Sequence, residues 1–563
     1  MTTTQQPSSA APVWNRRRQS KSERVEAGRR FTDGRVVPTD AVEDLLHAVL
    51  RPGDRVALEG DNQKQADFLA RALTRLDPGR VNELHLVIPS ISLPEHLDLF
   101  EQGIATRADF AFAGAQSGRI PGLIADKTLT VGAIHTYLEL YARMFVDLIP
   151  DVALIAAEAA DSAGNLYTGP NTEDTPAIVE ATAFRDGIVI AQVNEIVDHE
   201  DLPRTDIPGD CVDFVIRADR PFHIEPLFTR DPRQITDLHV LLGMLAIRGV
   251  YERHEVTSVN HGIGFDTAAI ELLLPTYGGD LGLKGRIARH FALNPHPTLI
   301  PAIESGWVET ITSFGGELGM ERYVAARPDI FATGRDGSLR SNRMVAQTAG
   351  LYATDMFIGS TLQIDADANS STVTAGRLSG FGGAPNLGSD PRGRRHSTPT
   401  WLGMAEELGR TEATGTLGPL RGRKLVVQIA ESFGTGGVPK YVDRLDAWSV
   451  GEQAGMPVAP VMIYGDDVTH LISEEGVAYL YRAHSADERR AAVAALAGAG
   501  PLGQTSTADE RAQLRRDGLL ATPEDLGVRR SDANRTQLAA RSIGDLVTWS
   551  GGLYDPPAKF RSW

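Results

Sequence analysis

The chain has 563 residues, more than one hydrophobic core usually holds, so we expect at least two domains. Its 56 lysines and arginines stand against 73 aspartates and glutamates, and the net charge of −17 argues against generic binding to nucleic acids or membranes. The single cysteine, Cys211, excludes an internal disulfide framework and any metal site built from clustered cysteines. We expect Cys211 to be a small buried apolar residue rather than a nucleophile.

Residues 1–35 are predicted to form a basic, partly disordered N-terminal arm. Residues 1–12 are polar and are expected to be disordered, and a run of arginines and lysines follows at 16–30. This run either docks a partner or is a solvated tail. No stretch approaches the roughly 20 apolar residues of a transmembrane helix, and the N-terminus lacks a signal-peptide core, so the expected location is the cytoplasm, without membrane insertion.

Residues 36–232 alternate between helical and strand patterns, which predicts a first α/β domain. Several predicted strands, such as residues 152–155 and 188–190, are apolar throughout, as strands covered by helices on both faces should be. The predicted helices lie at 40–50 and 65–76, the predicted strands at 55–59 and 83–89, and the alternation continues through 110–114, 132–145, 152–157 and 187–193.

A segment rich in proline, arginine and aspartate, residues 217–233, is predicted to be a linker. A second α/β domain, residues 233–563, then follows and ends in surface helices near 485–520. Its other predicted elements are helices at 236–247 and 267–274 and strands at 255–260, 356–364 and 424–428.

The first of three glycine-rich loops, residues 261–264, joins a predicted strand to a helix. Gly262 and Gly264 allow a backbone to approach a ligand closely, and the following helix N-terminus favours an anion such as pyrophosphate. The third glycine of a dinucleotide fingerprint would fall at Thr267, which argues against a plain nicotinamide site.

The second loop, residues 379–386, contains Gly380, Gly382 and Gly383. Consecutive glycine N–H groups can form an oxyanion hole for a thioester under attack, although a tight turn explains the pattern equally well. The third loop, residues 433–440, lacks the spacing and the Lys-Ser/Thr ending of a phosphate-binding P-loop, so nucleotide hydrolysis is rejected.

Two polar segments are candidates for ligand contacts in the first domain. One is a turn-rich stretch with Asn165 and Tyr167, and the other ends an apolar strand with Gln192 and Asn194. Amides at the carboxyl end of a strand can hold a carboxylate, or they can simply satisfy turn hydrogen bonds. The histidine spacings, as in the pair His290 and His296, do not match a helical ligand pair, so we expect no metal site.

Taken in order, these segments resemble the coenzyme A transferase family, and residues 164–176 are similar to malonate decarboxylase α subunits. The resemblance covers about residues 15–555. It implies two coenzyme A transferase-like α/β domains with mostly parallel sheets and an active site in the cleft between them. It also implies an acyl-carrier-protein partner with a coenzyme-A-like arm (phosphoribosyl-dephospho-CoA), decarboxylase subunits, and no permanently bound cofactor. The implied reaction converts acetyl-S-carrier and malonate to malonyl-S-carrier and acetate.

One departure from the family pattern concerns the covalent nucleophile. Ordinary transferases of this family use a glutamate, whereas residues 291–298 contain none, and the nearest, Glu304, more plausibly belongs to the next helix. The resemblance therefore implies that malonate itself attacks the acetyl thioester and forms a mixed anhydride. Whether Glu304 or another carboxylate reaches the cleft is open at this stage.

The resemblance also assigns roles to individual residues. Gly382 and Gly383 would stabilise the oxyanion, Asn294 and His296 would border the carboxylate, and Gln192 and Asn194 would bind the free end of malonate. The remaining predicted substrate-binding residues are Asn165, Tyr167, Gly262, Gly264 and Asn386. The rival hypotheses are an acyl-CoA transferase or thioesterase acting on free coenzyme A, a non-catalytic scaffold for a carrier protein and, more distantly, a nicotinamide oxidoreductase.

Overall fold

The computed structural model describes residues 13–60, 64–170, 172–313, 315–335, 338–339, 354–388 and 424–561. The predicted disorder of residues 1–12 lies outside the described residues. Among the helices of these ranges, none combines the length and the apolar character that crossing a membrane requires.

The first half of the chain builds a nine-stranded sheet with the strand order β1-β9-β8-β6-β2-β3-β4-β5, in which all neighbours are parallel and β7 pairs antiparallel with β6. Its strands are β1 Val36–Val37, β2 Arg55–Leu58, β3 Leu84–Ile91, β4 Ala105–Ala113, β5 Thr130–Ile134, β6 Val152–Ala160, β7 Leu166–Tyr167, β8 Ile188–Ile196 and β9 Phe214–Arg217. The helices are α1 Val13–Arg29, α2 Val42–Val49, α3 Asp67–Leu73, α4 Pro94–Glu101, α5 Ile120–Ala125, α6 Tyr137–Val146 and α7 Thr175–Ala183.

The second half builds an eight-stranded sheet with the order β12-β11-β10-β13-β18-β20-β21-β22, parallel as far as β20 and antiparallel beyond it. Its described strands, with those of two small sheets, are β10 Ser258–His261, β11 His290–Ala292, β12 Thr310–Thr312, β13 Met356–Ser360, β14 Gln363–Asp365, β15 Ser370–Ser371, β16 Val373–Thr374, β17 Arg377–Leu378, β18 Leu425–Ile429, β19 Tyr441–Val442, β20 His470–Ser473, β21 Gly476–Tyr479 and β22 Leu520–Ala521. The helices are α8 Asp237–Ala246, α9 Phe265–Leu273, α10 Ile300–Glu304, α11 Glu321–Ala326, α12 Ala384–Leu387, α13 Asp446–Gln453, α14 Ala486–Leu496, α15 Ala508–Arg516 and α16 Ile543–Trp549.

The predicted fold class, α/β with mostly parallel sheets, is confirmed. One stretch differs from its prediction: residues 132–145, taken as a single element, comprise the end of β5 and most of α6. The break follows from a capping box, because the Thr136 side chain accepts from the Glu139 N–H while the Glu139 carboxylate accepts from the Thr136 N–H. The predicted linker at 217–233 connects β9 to α8.

The basic N-terminal segment forms helix α1, which packs on the first sheet's own helices and loops. Arg17 pairs with Asp151, and Lys21 pairs with Asp213. Arg24 forms a buried ion pair with Asp54. These ion pairs dock the described part of the basic segment on the first sheet and its connecting loops.

The glycine loop at 379–383 is attached to the first sheet although it lies late in the chain. The Ala113 N–H donates to the Ser379 carbonyl, the Phe381 and Gly382 N–H groups donate to the Ala111 carbonyl, and the Tyr137 N–H donates to the Gly382 carbonyl. Accordingly, one hydrophobic core contains residues of β4 and β5 together with Phe357, Phe381 and Leu387.

Candidate active site

A cavity of about 130 Å³ lies where the two sheets meet. Phe112 at the end of β4 and Tyr137 at the start of α6 line one part of it. The other lining residues follow the first sheet in the chain. The described residues that line it include five predicted site residues: Gly262, Asn294, His296, Gly382 and Gly383.

Parallel pairing explains why distant segments converge on this cavity. Strands β10 and β11 are parallel neighbours, so the loops that follow them, with Gly262 and with Asn294 and His296, emerge at the same edge of the sheet. The glycine loop reaches the opposite side of the cavity through its hydrogen bonds to β4.

His296 is held by a buried carboxylate that was not among the predicted site residues. Its Nδ1 lies 2.8 Å from Oε1 of Glu271, and its ring stacks on Phe228 with a centroid separation of 5.2 Å. The same Glu271 oxygen lies 2.8 Å from Nδ1 of His261, while Thr298 donates to the other oxygen. The side chain of Glu271 has no exposed area.

These hydrogen bonds determine the charge of Glu271. Burial alone would raise the pKa of the carboxyl, but the adjacent His296 and His261 outweigh burial and hold the pKa at about 2. Glu271 is therefore an anion at neutral pH. A sequence signal for it exists, since it is a charged residue inside the apolar stretch of α9, where an unpaired carboxylate would be costly.

One of the two oxyanion donors predicted in the glycine loop is already bonded within the protein. The Gly382 N–H donates to the Ala111 carbonyl at 3.0 Å, so it does not supply a free oxyanion donor. Within the described residues, the N–H groups of Gly383 and Ile263 make no hydrogen bond, and both residues line the cavity. They are the candidate oxyanion donors, and the contribution of Ile263 was not predicted.

Gly262 allows a close approach of the β13 backbone, and Gly264 allows a close approach of the Ser360 side chain. A Cβ at Gly262 would lie 3.0 Å from the Gly359 Cα, and one at Gly264 would lie 2.5 Å from the Ser360 Oγ. The Gly262 N–H donates to the Ile358 carbonyl. Gly262 lines the cavity, whereas Gly264 does not belong to the described lining.

The polar residues predicted in the first domain lie outside the lining of this cavity and have protein partners. Gln192 is fully buried, accepts from the Leu69 N–H and donates to Asp67. Asn194 accepts from the Phe222 N–H. This outcome corresponds to the alternative of satisfied local hydrogen bonds.

The predicted turn residues Asn165 and Tyr167 also have protein partners outside the cavity. Asn165 donates to Asp161 and accepts from the Gly209 N–H. The guanidinium of Arg204 lies 4.7 Å from the ring centre of Tyr167. Their side chains thus stabilise the end of β6 and β7 rather than lining the cavity.

Two asparagines carry buried oxygens without a hydrogen-bond partner among the described residues. Asn294 donates to the Gly316 carbonyl but leaves its Oδ1 unsatisfied, and Asn386 in α12 also has an unsatisfied Oδ1. A buried acceptor without a donor is unfavourable, so a ligand N–H would stabilise it. Asn294 lines the cavity, whereas Asn386 does not belong to the described lining.

No aspartate or glutamate is present among the described residues that line the cavity. Glu304 lies at the exposed end of α10, where it accepts from Tyr323 and pairs with Arg327. A neighbouring cavity of about 190 Å³ contains Glu158, Glu317 and Glu321 in its lining. Burial raises the pKa of Glu317 to about 7 although three donors from Phe228 and Thr229 favour its anion.

A second charged cluster contains His239, Asp266 and Glu431, which are residue types that can bind a metal ion. The tautomer of the histidine, however, does not suit metal binding. The His239 Nδ1 accepts from the Thr236 N–H at 3.0 Å, so in the neutral ring the proton sits on Nε2. That Nε2 lies 3.2 Å from Glu431, to which it donates. We therefore interpret the cluster as an ion-pair network, which Lys440 completes through Glu431.

Two further predictions concern Cys211 and the third glycine loop. Cys211 is partly buried, and burial raises the pKa of its thiol, which disfavours a nucleophilic role. In the loop, the Gly434 N–H donates to the Val438 carbonyl and the Gly437 N–H to the Gly434 carbonyl, so these donors close a turn rather than face a phosphate.

Two mostly parallel α/β sheets that share a cavity with a glycine loop place the protein in the coenzyme A transferase fold class. An acyl-CoA transferase of Escherichia coli O157:H7 has the same fold, with a TM-score of 0.51 at 14% identity over 80% of this chain and 88% of that chain. The family model described as malonate decarboxylase, alpha subunit, transporter matches residues 13–563, and the chain belongs to this family.

Relatives with high identity cover nearly the whole chain. The acetyl-S-ACP:malonate ACP transferase of Malonomonas rubra is 56% identical over 553 residues, 98% of this chain and 99% of that protein. A chain of the Pseudomonas malonate decarboxylase hetero-tetramer, solved in complex with malonate, is 64% identical with a TM-score of 0.91, and the match covers 98% of this chain and 100% of that one.

Proposed function

We propose that this chain is the transferase subunit of a malonate decarboxylase, converting acetyl-S-carrier and malonate to malonyl-S-carrier and acetate. The family membership and the 56% identical transferase support the reaction. The proposed partners are an acyl carrier protein, whose phosphoribosyl-dephospho-CoA arm presents the thioester, and the decarboxylase subunits of a cytoplasmic complex. The two catalytic domains are assigned to residues 36–232 and 233–563.

The observation that carries the mechanism is the absence of a carboxylate from the described lining of the cavity, which instead offers His296, Asn294 and free backbone donors. Malonate therefore supplies the nucleophile. One of its carboxylate oxygens attacks the acetyl carbonyl, and the N–H groups of Gly383 and Ile263 stabilise the oxyanion. The carbon–sulfur bond then breaks, which gives an acetic–malonic anhydride and the carrier thiolate.

The second half of the reaction retraces the first. The thiolate attacks the malonyl carbonyl of the anhydride, the same donors stabilise the new oxyanion, and acetate leaves. The protein holds both partners in place and excludes water, which would hydrolyse the anhydride. The unsatisfied Asn294 Oδ1 is assigned to an amide N–H of the carrier arm.

A thioester-exchange assay tests this function. The purified chain is mixed with an acetylated carrier protein and isotope-labelled malonate, and the mass of the carrier is measured. We expect conversion from acetyl- to malonyl-carrier, and no trapped acyl-glutamyl enzyme after borohydride treatment. Exchange on free acetyl-CoA with a borohydride-trapped glutamate would instead identify an ordinary acyl-CoA transferase. Carrier binding without exchange would leave the scaffold hypothesis.

A further inference from the structure

The third glycine loop, residues 433–440, closes into a hairpin whose tip is apolar. The Gly434 N–H donates to the Val438 carbonyl, and the Gly437 N–H donates to the Gly434 carbonyl. At this tip, the Phe433 side chain is 38% exposed and Val438 is 61% exposed. Single exposed apolar side chains are common on protein surfaces, whereas large apolar side chains that share one exposed turn indicate an interaction site.

The base of this hairpin is anchored to other elements of the second half of the chain. The Ser432 N–H donates to the Glu474 carboxylate at 3.0 Å, and the Lys440 N–H donates to the Ser432 carbonyl. The strand that follows the loop, β19, pairs with β14. The tip therefore has a fixed place, and a surface held in one conformation loses little conformational entropy when a partner covers it.

The third glycine loop emerges at the same edge of the second sheet as the cavity. The loop follows β18, and β10, β13 and β18 are consecutive parallel neighbours in that sheet. The loops that follow parallel strands leave the sheet at one edge. The loop after β10 contains Gly262 and Ile263, which line the cavity. The hairpin and the cavity therefore share this edge.

A short series of contacts connects the base of the hairpin with the wall of the cavity. Glu431, which precedes the loop, lies 3.2 Å from Nε2 of His239. The ring of His239 stacks on Phe265 with a centroid separation of 5.8 Å. Phe265 comes two residues after Ile263, a residue of the cavity lining. The apolar tip thus belongs to the region around the cavity and not to a remote face.

We propose that Phe433 and Val438, at the tip of the third glycine loop, dock the acyl carrier protein through an apolar patch on the carrier. This inference rests on the proposed function, in which the carrier delivers a thioester to the cavity on its prosthetic arm. The arm limits how far from the cavity the carrier can lie, so its docking surface must be at the cavity's edge of the sheet. The decarboxylase subunits act on the malonyl-carrier and have no such requirement.

The test is the double substitution Phe433→Ser with Val438→Ser, assayed by thioester exchange over a range of acetyl-carrier concentrations. Both side chains are exposed, so the melting temperature should be nearly unchanged. We expect KM for the acetyl-carrier to rise roughly tenfold, because two apolar side chains no longer leave water on docking. The kcat at saturating carrier and KM for malonate should be unchanged, since neither residue belongs to the described lining of the cavity.

The matched control is Val146→Ser with Phe184→Ser, which replaces apolar side chains that are 68% and 71% exposed. Val146 ends α6 and Phe184 follows α7, so both precede the amino ends of strands in the first sheet, away from the cavity. This control should leave KM for the acetyl-carrier unchanged. If the double variant at the tip does not fold, Val438→Asp changes its more exposed position alone and should raise the same KM.

Calorimetric titration with the carrier in its free thiol form separates this inference from the proposed function. If the unchanged protein binds the carrier and the tip variant binds it about tenfold more weakly, docking stands even where exchange is absent. Failure of the unchanged protein to bind the carrier overturns the proposal, as does a folded tip variant with normal carrier affinity or one in which only kcat falls. Loss of decarboxylase-subunit binding with carrier binding intact also overturns it, because another partner then covers the tip.

Discussion

The glycines of the loop at 379–383 have unequal conformational requirements. Gly380 has φ +71°, and a Cβ there would lie 2.5 Å from the Ala111 carbonyl oxygen. Gly383 has an ordinary φ of −92°, and nothing lies within 4 Å of a Cβ. The loop therefore needs glycine at 380 for its close contact with β4, whereas the need at 383 is not steric.

These differences predict that alanine destabilises the protein at position 380 but not at position 383. Gly380→Ala should destabilise the protein by about 2 kcal/mol, through strain at positive φ and the clash with Ala111, and should reduce exchange. Gly383→Ala keeps the N–H and should leave the melting temperature nearly unchanged. Melting temperatures and exchange rates of the pair check this prediction, and equal effects of the two substitutions would contradict the assigned contact.

The raised pKa of Glu317 predicts that the free energy of unfolding depends on pH. Its pKa is about 7 in the folded protein and near 4.5 when unfolded, so between these values the folded state binds more protons. Stability should therefore fall as pH rises from 4.5 to 7, by up to about 3 kcal/mol from this group. Glu317→Gln should flatten that part of the stability–pH curve in chemical denaturation, whereas the exposed control Glu304→Gln should leave its slope intact.

The sequence predicted part of the cavity lining because glycine loops and strand ends have local signatures. Gly262, Asn294 and His296 follow strands whose parallel pairing brings them together, and Gly383 lies in a glycine loop that reaches the cavity through hydrogen bonds to β4. The use of the Gly382 N–H could not be predicted, because its acceptor, Ala111, is distant in sequence. Gln192 was selected for its place at a strand end and Asn165 for its turn-rich segment, and neither signal distinguishes a ligand contact from an internal hydrogen bond.

At the scale of elements, predictions succeeded where hydrophobic periodicity was strong and failed at boundaries. The helix predicted at 40–50 is α2, with four buried apolar residues on one face. The boundary inside 132–145 was missed although Thr136 and Glu139 form a recognisable capping box. Helix α1 was not predicted at all, because its arginines and lysines form no apolar stripe and it is held by ion pairs to other elements.

The buried ion pair that holds helix α1 predicts a loss of stability when its arginine is replaced. Arg24 is 5% exposed and pairs with Asp54, so Arg24→Met leaves a buried carboxylate unpaired and should cost about 3 kcal/mol at neutral pH. The cost should shrink at low pH, because burial already raises the pKa of Asp54 and protonation removes the charge. The control is Arg18→Met, whose side chain is 66% exposed and whose loss should cost at most about 0.5 kcal/mol. Equal losses in denaturant titrations of the two variants would refute the assignment.

At the scale of the whole molecule, the two sheets were predictable from the alternation of elements, but their shared core was not. The core of the first sheet continues through Phe357, Phe381 and Leu387 of the second half of the chain. Such contacts join residues far apart in sequence, and no local pattern records them. The two halves are therefore expected to depend on each other for stability.

This shared core predicts the behaviour of a nicked chain. A protease site inserted between Asp219 and Arg220, in the linker beyond β9, can be cleaved after folding. We expect the two fragments to remain together in size-exclusion chromatography and to melt in one transition, because separation would expose the apolar side chains of the common core. Independent elution of the fragments would show that the halves are autonomous.

The backbone hydrogen bonds between the glycine loop and β4 have a consequence for the route of the substrates. A hinge that parted the halves would have to break three of these bonds, the bond from the Tyr137 N–H to the Gly382 carbonyl and the packing of Phe381 at every turnover. Under the proposed function, the thioester reaches the cavity without such a hinge, as delivery on a long prosthetic arm would allow. In the proposed mechanism, halves that stay together also limit the water that could reach the mixed anhydride.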